Sequence, residues 1–251
     1  MSTKFLAHLD GNIKDVVSGS VGVVIDGPPF SFAPGVFDQS IILTPDDPLS
    51  RTTRVTTVDC SSLTDDFCFE FFTKLLAFGS SGSTSNFFAF GFRGPSDNFL
   101  LSIAVWFYTG AGATWGKMTV IPQVGITSCE AEHSLVVGEN IHVAIERKEG
   151  VFSIYINGVL KQRIELANTE LQPLAQVNLS SLSAIRISSS GTPSGQVVLD
   201  EIRLSDTSIY NEAGFTPPAA PFTIPVVPLH VVATTGGKLL LSGTKLVVEN
   251  I

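Results

Sequence analysis

The carboxylate and histidine side chains are the residues of this chain that could catalyse hydrolysis, and their spacing does not favour it. A glycosidase needs two carboxyl groups about 5–10 Å apart. Asp200 and Glu201 are adjacent, so a regular strand would point them to opposite faces. The pairs Asp46–Asp47 and Asp65–Asp66 fall at predicted turns, and the histidines show no serine–histidine–aspartate spacing. The sequence therefore predicts no catalytic residues, and we expect that the protein is not an enzyme.

Sulfur and nitrogen ligands are densest between residues 129 and 133, a segment that reads Cys-Glu-Ala-Glu-His. On an extended strand Cys129 and His133 would lie about 13 Å apart, which is too far for one metal ion. We therefore predict an edge strand or loop at this segment. The cysteines are odd in number and unrelated in spacing, which predicts buried thiols and no disulfide framework: Cys60, Cys68 and Cys129.

Aromatic side chains in glycine-rich surroundings are candidates for carbohydrate binding, because the C–H faces of sugar rings pack against them. Trp115 and Tyr108 fall beside the glycine-rich stretch 109–114 and are the predicted carbohydrate-binding residues. Trp106 lies inside the apolar run 99–108 and is predicted to be in the core. For Trp115 the alternative is a structural loop or a subunit contact.

The elements that would carry these residues are β-strands, since the dominant pattern alternates with a period of two. Residues 151–164 read as a hairpin, and Asn157-Gly158 between its halves is typical of a type I′ turn. Residues 141–147 form the preceding strand. Phe67, Phe69 and Phe71 are predicted to share one strand face. Without a convincing amphipathic helix, the pattern favours a β-sandwich or barrel.

The overall composition is apolar, sparsely charged and acidic. Only 15% of residues are Asp, Glu, Lys or Arg, against about 25% in ordinary soluble domains. Mean hydropathy is +0.33 and the net charge is −8. The chain has no basic stripe for nucleic acid, no apolar run long enough for a membrane helix, and no apolar core of a signal peptide. We therefore expect neither nucleic-acid nor membrane partners.

The proline-rich segment 217–228 divides the chain, because proline cannot donate to a strand ladder. We predict a main domain at 1–216, an extended connector at 217–228 and a β-hairpin arm at 229–251. Strands as short as those of the arm cannot bury a core alone. The arm is therefore expected to pack on the main domain or on a neighbouring chain, for attachment or oligomerisation, through its apolar residues Leu229, Val231, Leu239, Leu241, Leu246 and Val248.

Five segments across residues 4–222 follow one another in a distinctive order and spacing: 5–11, 37–43, 66–72, 141–147 with 155–159, and 199–204 with Tyr210 and 215–222. Together they resemble the concanavalin A-like jelly-roll superfamily, and specifically its laminin-G-like members in phage virion proteins. Residues 5–11 are similar to the first strand of that family, and residues 66–72 to a strand usually written Asp-Phe-Thr-Ile-Glu-Phe-Trp.

The resemblance implies an all-β protein, a concanavalin A-like jelly-roll β-sandwich with a short C-terminal β arm. It also implies a non-enzymatic virion structural protein, as capsid decoration, head fibre or tail-associated protein. Such a protein would be made in the host cytoplasm and reside in the virion. Its expected partners are other virion proteins and further copies of itself. The alternative is a glycan-binding adhesin that recognises carbohydrate on the host surface.

Calcium is the one metal that the resemblance implies, since many relatives bind it at the sheet rim through aspartate carboxylates and backbone carbonyls. Asp10 and Asp200 are the predicted ligands, with Asp26 as a further candidate. The alternative is that Asp10 and Asp200 bond to turn amides and to Arg203. Glucanases of the superfamily carry a Glu-x-Asp-x-(x)-Glu run on one strand, which is missing from this sequence. No other cofactor is expected.

Overall fold

The structure is a computed structural model, and it consists of β-strands in two eight-stranded antiparallel sheets and a separate hairpin. It describes residues 2–26, 31–43, 51–56, 63, 66–78, 84–94, 96, 98–109, 116–124, 127–164, 179–182, 184–191, 195–210, 214–224, 238–242 and 245–249. Within these residues no helix is both long enough and apolar enough to cross a bilayer. Cys60, Asp46–Asp47, Asp65 and Trp115 lie outside the described residues.

The first sheet has the order β14-β13-β12-β6-β16-β4-β3, and β1 also pairs with β16. All of its strand pairs are antiparallel. Its strands are β1 (Thr3–Ala7), β3 (Ser31–Pro34), β4 (Gln39–Leu43), β6 (Phe67–Phe78), β12 (Asn140–Lys148), β13 (Val151–Ile156), β14 (Val159–Ile164) and β16 (Gly195–Ser205).

The second sheet has the order β10-β9-β8-β7-β15-β5-β2, and β11 also pairs with β9. Its strands are β2 (Val23–Asp26), β5 (Arg51–Thr56), β7 (Thr84–Arg93), β8 (Phe99–Thr109), β9 (Gly116–Val124), β10 (Thr127–Ser128), β11 (Ala131–Ser134) and β15 (Ala184–Gly191). A 3₁₀ turn at Leu179–Ser181 precedes β15.

Phenylalanine rings fill the space between the two sheets. Phe69 of β6 meets Phe90 and Phe92 of β7, with ring centroids 4.8 and 5.0 Å apart. Phe71 of β6 packs edge-on against Phe88 of β7 at 5.6 Å. Each fully buried ring contributes about 1.5–3 kcal/mol. The predicted shared face of the β6 phenylalanines and the predicted all-β sandwich are therefore confirmed.

The hairpin of β13 and β14 confirms the predicted turn. Asn157 and Gly158 have φ angles of +51° and +75°, and a type I′ turn needs positive φ at both positions. Ile156 pairs with Val159 directly across this turn.

At the C-terminal end, β17 (Lys238–Ser242) and β18 (Lys245–Glu249) form a two-stranded antiparallel sheet. In its register Leu239 pairs with Val248, and Leu241 pairs with Leu246. A short C-terminal β element is thus present. Leu229 and Val231 lie outside the described residues, and the attachment role of the arm stays a prediction.

Candidate functional site

Asp10 and Asp200, the predicted calcium ligands, both accept hydrogen bonds from the main chain. Asp10 Oδ1 accepts one from the Gln39 N–H at 3.3 Å. Both carboxylate oxygens of Asp200 are occupied by main-chain donors, the N–H groups of Val36, Phe37 and Glu201. In the described part of the chain no three His, Cys, Asp or Glu side chains are grouped to hold a metal ion. Calcium binding stays a prediction.

Glu201 lies at a β-bulge, which the sequence does not reveal. Its φ is +45°, and the register of β16 against β6 shifts between Asp200 and Arg203. Because of the bulge, the expectation that Asp200 and Glu201 point to opposite faces of a regular strand does not apply. Both carboxylates are buried. Glu201 accepts hydrogen bonds from His8 Nδ1 and from the Phe222 N–H, both at 2.7 Å. Burial raises the pKa of Asp200 and of Glu201 above their ordinary values.

A buried polar network centred on Glu70 occupies the outer face of the first sheet. Glu70 of β6 is fully buried, on the side opposite its phenylalanine neighbours. Its Oε1 accepts hydrogen bonds from Arg203 Nε at 2.8 Å and forms an ion pair with Arg203 Nη2 at 2.7 Å. Its Oε2 accepts from His142 Nε2 at 3.0 Å and from the Tyr210 hydroxyl at 2.6 Å. The alternative to calcium binding, in which Asp10 and Asp200 bond to turn amides and to Arg203, agrees with their main-chain donors. Arg203, however, binds Glu70.

The network sets the protonation of its own members. Burial by itself would raise the pKa of Glu70, but the hydrogen bond from His142 and the charge of Arg203 lower it below 4.5. Burial, followed by the Glu70 charge, raises the pKa of Tyr210 and of the Cys68 thiol. Glu70 is therefore an ionised acceptor that is saturated with donors, and the arrangement is structural.

Residues 206–210 and 214–222, which we call the covering segment, lie over this network. The N–H groups of Ile209 and Tyr210 donate to Glu146 Oε1. The ring of Phe215 stacks on Tyr210 at 3.4 Å, and its N–H donates to the Gly158 carbonyl. Further along, the buried ring of Phe222 contacts Phe72, His142 and Arg203. The covering segment thus shields this part of the outer face of the first sheet. It extends to Phe222, which belongs to the predicted connector 217–228.

On β7 and β8, the centre of the outer face of the second sheet is built from small residues. Ala89 of β7 pairs with Ala104 of β8, and Gly91 pairs with Ser102. These residues alternate with core residues such as Phe90 and Ile103, so they lie on the face turned away from the core. The short side chains make the centre of this face shallow.

Trp106 and Tyr108 form an aromatic pair at one end of this face, which we call the open face because no segment described in the structure lies over it. Their rings are nearly parallel, with an angle of 15° and centroids 6.1 Å apart. Both side chains are half-buried, whereas Val105 and Phe107 between and beside them are fully buried. The prediction that Trp106 belongs to the core is wrong. Strand β8 is apolar on both faces, so its hydrophobicity did not indicate which face was inside.

Charged and hydroxyl groups border the aromatic pair. Lys117 of β9 pairs with Tyr108 across the ladder, and its Nζ lies 5.6 Å from the centre of that ring. The same Nζ forms an ion pair with Glu132 of β11 at 2.5 Å. Thr119 is the cross-strand partner of both Trp106 and Glu132, and it is only 3% exposed. Its hydroxyl has no hydrogen-bond partner among the residues described.

The open face thus brings together one predicted site residue, Tyr108, and three that sequence reasoning missed: Trp106, Lys117 and Glu132. The alternation along β8 could have indicated that Trp106 lies on the outer face. Trp106 and Tyr108 are at even positions, as are the small residues Ser102 and Ala104. The Cys, Glu and His side chains at 129–133 are not grouped in a way that could hold a metal ion. Cys129 is buried with its pKa raised by burial to about 12, and His133 bonds to Glu139.

No protein-family model and no curated protein matches this sequence. Solved structures do match the fold. The binding domain of botulinum neurotoxin serotype D has a TM-score of 0.55 at 14% identity, covering 84% of this chain and 50% of that one. Domain 4 of AbnA, an extracellular arabinanase from Geobacillus stearothermophilus, was solved with arabinotriose. It has a TM-score of 0.52 at 14% identity, covering 83% of this chain and 94% of that one.

The binding domain of botulinum neurotoxin DC in complex with SialylT has a TM-score of 0.51 at 14% identity, covering 83% of this chain and 49% of that one. The chain spans about half the length of these neurotoxin domains. At such low identity the similarity concerns the fold alone. This chain therefore has a jelly-roll-like β-sandwich fold that is similar to the fold of these domains.

Proposed function

We propose that this protein is a carbohydrate-binding module, and that the outer face of its second sheet is the binding surface. The observation that carries the proposal is the pair of nearly parallel rings of Trp106 and Tyr108, half-exposed on a sheet face that is otherwise shallow. The sequence predicted an aromatic–polar patch near Trp115 and Tyr108. The patch that we propose has Trp106 and Tyr108 at its centre.

The chemistry of the patch suits a sugar. The flat C–H face of a pyranose or furanose packs against an aromatic ring and gains apolar contact. Its hydroxyl groups remain at the ring edge, where they need donors and acceptors. Lys117 supplies donors and Glu132 supplies acceptors on one side of the pair. A small number of polar groups beside an apolar surface is the usual composition of a ligand site.

The structural neighbours support the same proposal. Domain 4 of AbnA was solved in complex with arabinotriose, and the neurotoxin DC binding domain in complex with SialylT. Carbohydrate recognition by this chain, and recognition of a host-surface glycan in particular, is our proposal by analogy with these domains.

A glycan array with purified protein, probed with and without calcium, tests the proposal. We expect binding to one or more glycans, loss of that binding in Trp106→Ala, and retention in Val159→Ala, an exposed apolar residue of the first sheet. Trp115→Ala tests separately the residue that the sequence singled out. An array without hits in either condition, or a Trp106→Ala protein that binds like the wild type, would contradict the proposal.

We further propose, on the sequence resemblance, that the module is displayed on a phage particle through its C-terminal arm. The leucine–valine pairs of β17 and β18 support an attachment element. Deletion of residues 223–251 should leave glycan binding intact and abolish incorporation into particles, measured by imaging and by protein mass analysis. A truncated protein that assembles and joins particles as before would contradict the attachment role.

A further inference from the structure

We infer that the binding surface is an extended one that takes a linear oligosaccharide lying along β8, with Phe99 as a second stacking position. This inference rests on the proposed function, and adds to it the shape of the ligand.

Phe99 lies on the same outer face as the aromatic pair. It pairs with Arg93 in the register of β7 and β8, and it is 60% exposed. The Arg93 guanidinium lies against its ring, 2.9 Å from the centroid. A Cβ atom on Gly91 would come within 3.0 Å of Phe99 Cε1, so glycine at this position leaves room for the ring to lie close to the sheet. Phe99 is thus an exposed ring with a fixed position.

The distance between the two aromatic positions sets the length of the ligand. Positions 99 and 106 are about 20 Å apart along an antiparallel strand. Between them lie Ser102 and Ala104, bordered by Gly91 and Ala89 of β7. No large side chain from these four positions rises between the aromatic ends. A single sugar cannot reach both ends, whereas an unbranched chain of several sugars can.

A protein partner suits this face less well. A stable interface buries about 800 Å² on each partner and has an apolar core of large side chains. On β7 and β8 the centre of the open face presents alanine, glycine and serine, with Ile121 of β9 and Arg186 of β15 beside them. An oligosaccharide has hydroxyl groups and presents a flat sugar-ring face at each unit. It therefore fits a surface that has aromatic rings at its two ends and short side chains between them.

Isothermal titration of wild type and variants with linear oligosaccharides of increasing length tests the inference. The probes are arabinobiose to arabinohexaose, and the same length series of any sugar that the array identifies. We expect the wild-type affinity to rise by about tenfold or more from the dimer to the hexamer. Phe99→Ala should abolish that gain and leave dimer binding unchanged, whereas Trp106→Ala should weaken binding at every length. Val159→Ala is the control and should match the wild type.

Two results would overturn the inference and leave the proposed function standing. The first is an affinity that does not depend on chain length. The second is a Phe99→Ala protein that matches the wild type at every length while Trp106→Ala has lost binding. A change of molecular mass in solution in Phe99→Ala, measured by light scattering, would instead assign the face to contact with a second copy. If Trp106→Ala binds every length as the wild type does, the proposed function fails as well.

Discussion

The outer faces of the two sheets are used in opposite ways. On the first sheet, Glu70 and its partners are buried under the covering segment, and every oxygen of Glu70 has donors. On the second sheet, Trp106 and Tyr108 are half-exposed among small residues, and the nearby ion pair of Lys117 and Glu132 faces solvent. Among the residues that the structure describes, one face of the sandwich is thus covered by the chain itself and the other is not.

The difference separates stability from recognition. A charge that is taken out of water must be fully paired, so the closed face tolerates few changes. An exposed ion pair is screened by water and salt, so residues around it can change with little effect on the fold. We therefore expect substitutions on the first sheet to change unfolding and substitutions on the second to change binding. The following predictions test this division, from the largest expected effect to the smallest.

Glu70→Gln should have the largest effect on stability. The amide keeps the volume of the side chain, but it removes the charge that Arg203 and His142 bind. Breaking a buried charge network in this way costs about 3–5 kcal/mol. Urea unfolding followed by circular dichroism measures the loss. Glu132→Gln is the matched control on the open face and should leave the unfolding midpoint unchanged. Equal effects of the two substitutions would remove the proposed contrast between the faces.

Gly158→Ala should loosen the covering segment. A Cβ atom at this position would overlap the Phe215 carbonyl oxygen, and the backbone φ of +75° already disfavours alanine. We expect a loss of about 2–3 kcal/mol from the clash and the strain together. Gly138→Ala is the control, since its φ is +84° but nothing lies within 4 Å of the added atom. It should cost only about 1 kcal/mol. Thermal unfolding that ranks the control as equally destabilised would contradict this packing.

Tyr210→Phe tests a single hydrogen bond of the network. The hydroxyl donates to the ionised Glu70 at 2.6 Å in a buried setting. Its removal should cost about 1.5–2 kcal/mol, as is usual for hydrogen bonds to charged groups. Tyr108→Phe on the open face is the control and should leave stability unchanged in the same unfolding assay. A stable Tyr210→Phe protein would mean that Arg203 and His142 alone satisfy Glu70.

The dependence of stability on pH should show two opposing slopes. Burial raises the pKa of Glu146, as it does those of Asp200 and Glu201, so the folded state binds these protons more tightly and stability increases as the pH falls from 7. The pKa of Glu70 is lowered, so stability is lost as the pH falls below 4.5. Glu146→Gln should keep an acceptor for the Ile209 and Tyr210 amides and make the first slope shallower, with the contribution of Asp200 and Glu201 remaining. Unfolding free energies measured from pH 7 to 3.5 check this, and an unchanged first slope would contradict it.

Local patterns predicted the sandwich, the phenylalanine face of β6 and the Asn157-Gly158 turn, because each depends on alternation or on adjacent residues. The position of Trp106 could not be predicted in the same way. Strand β8 has apolar residues on both faces, and only the neighbouring sheet decides which of them is inside. The bulge at Glu201 and the network of Glu70 depend on residues far apart in the chain. A glutamate within an aromatic strand was the available signal for that network.

Chemical-shift mapping by NMR, with a bound oligosaccharide identified by the array, tests most directly whether the open face is the one that binds. We expect perturbations at the Trp106 indole N–H, assigned with Trp106→Phe, and at amides of β8 and β9. Amides of the covering segment and of β12 should not respond. Perturbations that cluster around Tyr210, Phe215 and Phe222 while β8 and β9 stay unchanged would contradict the account.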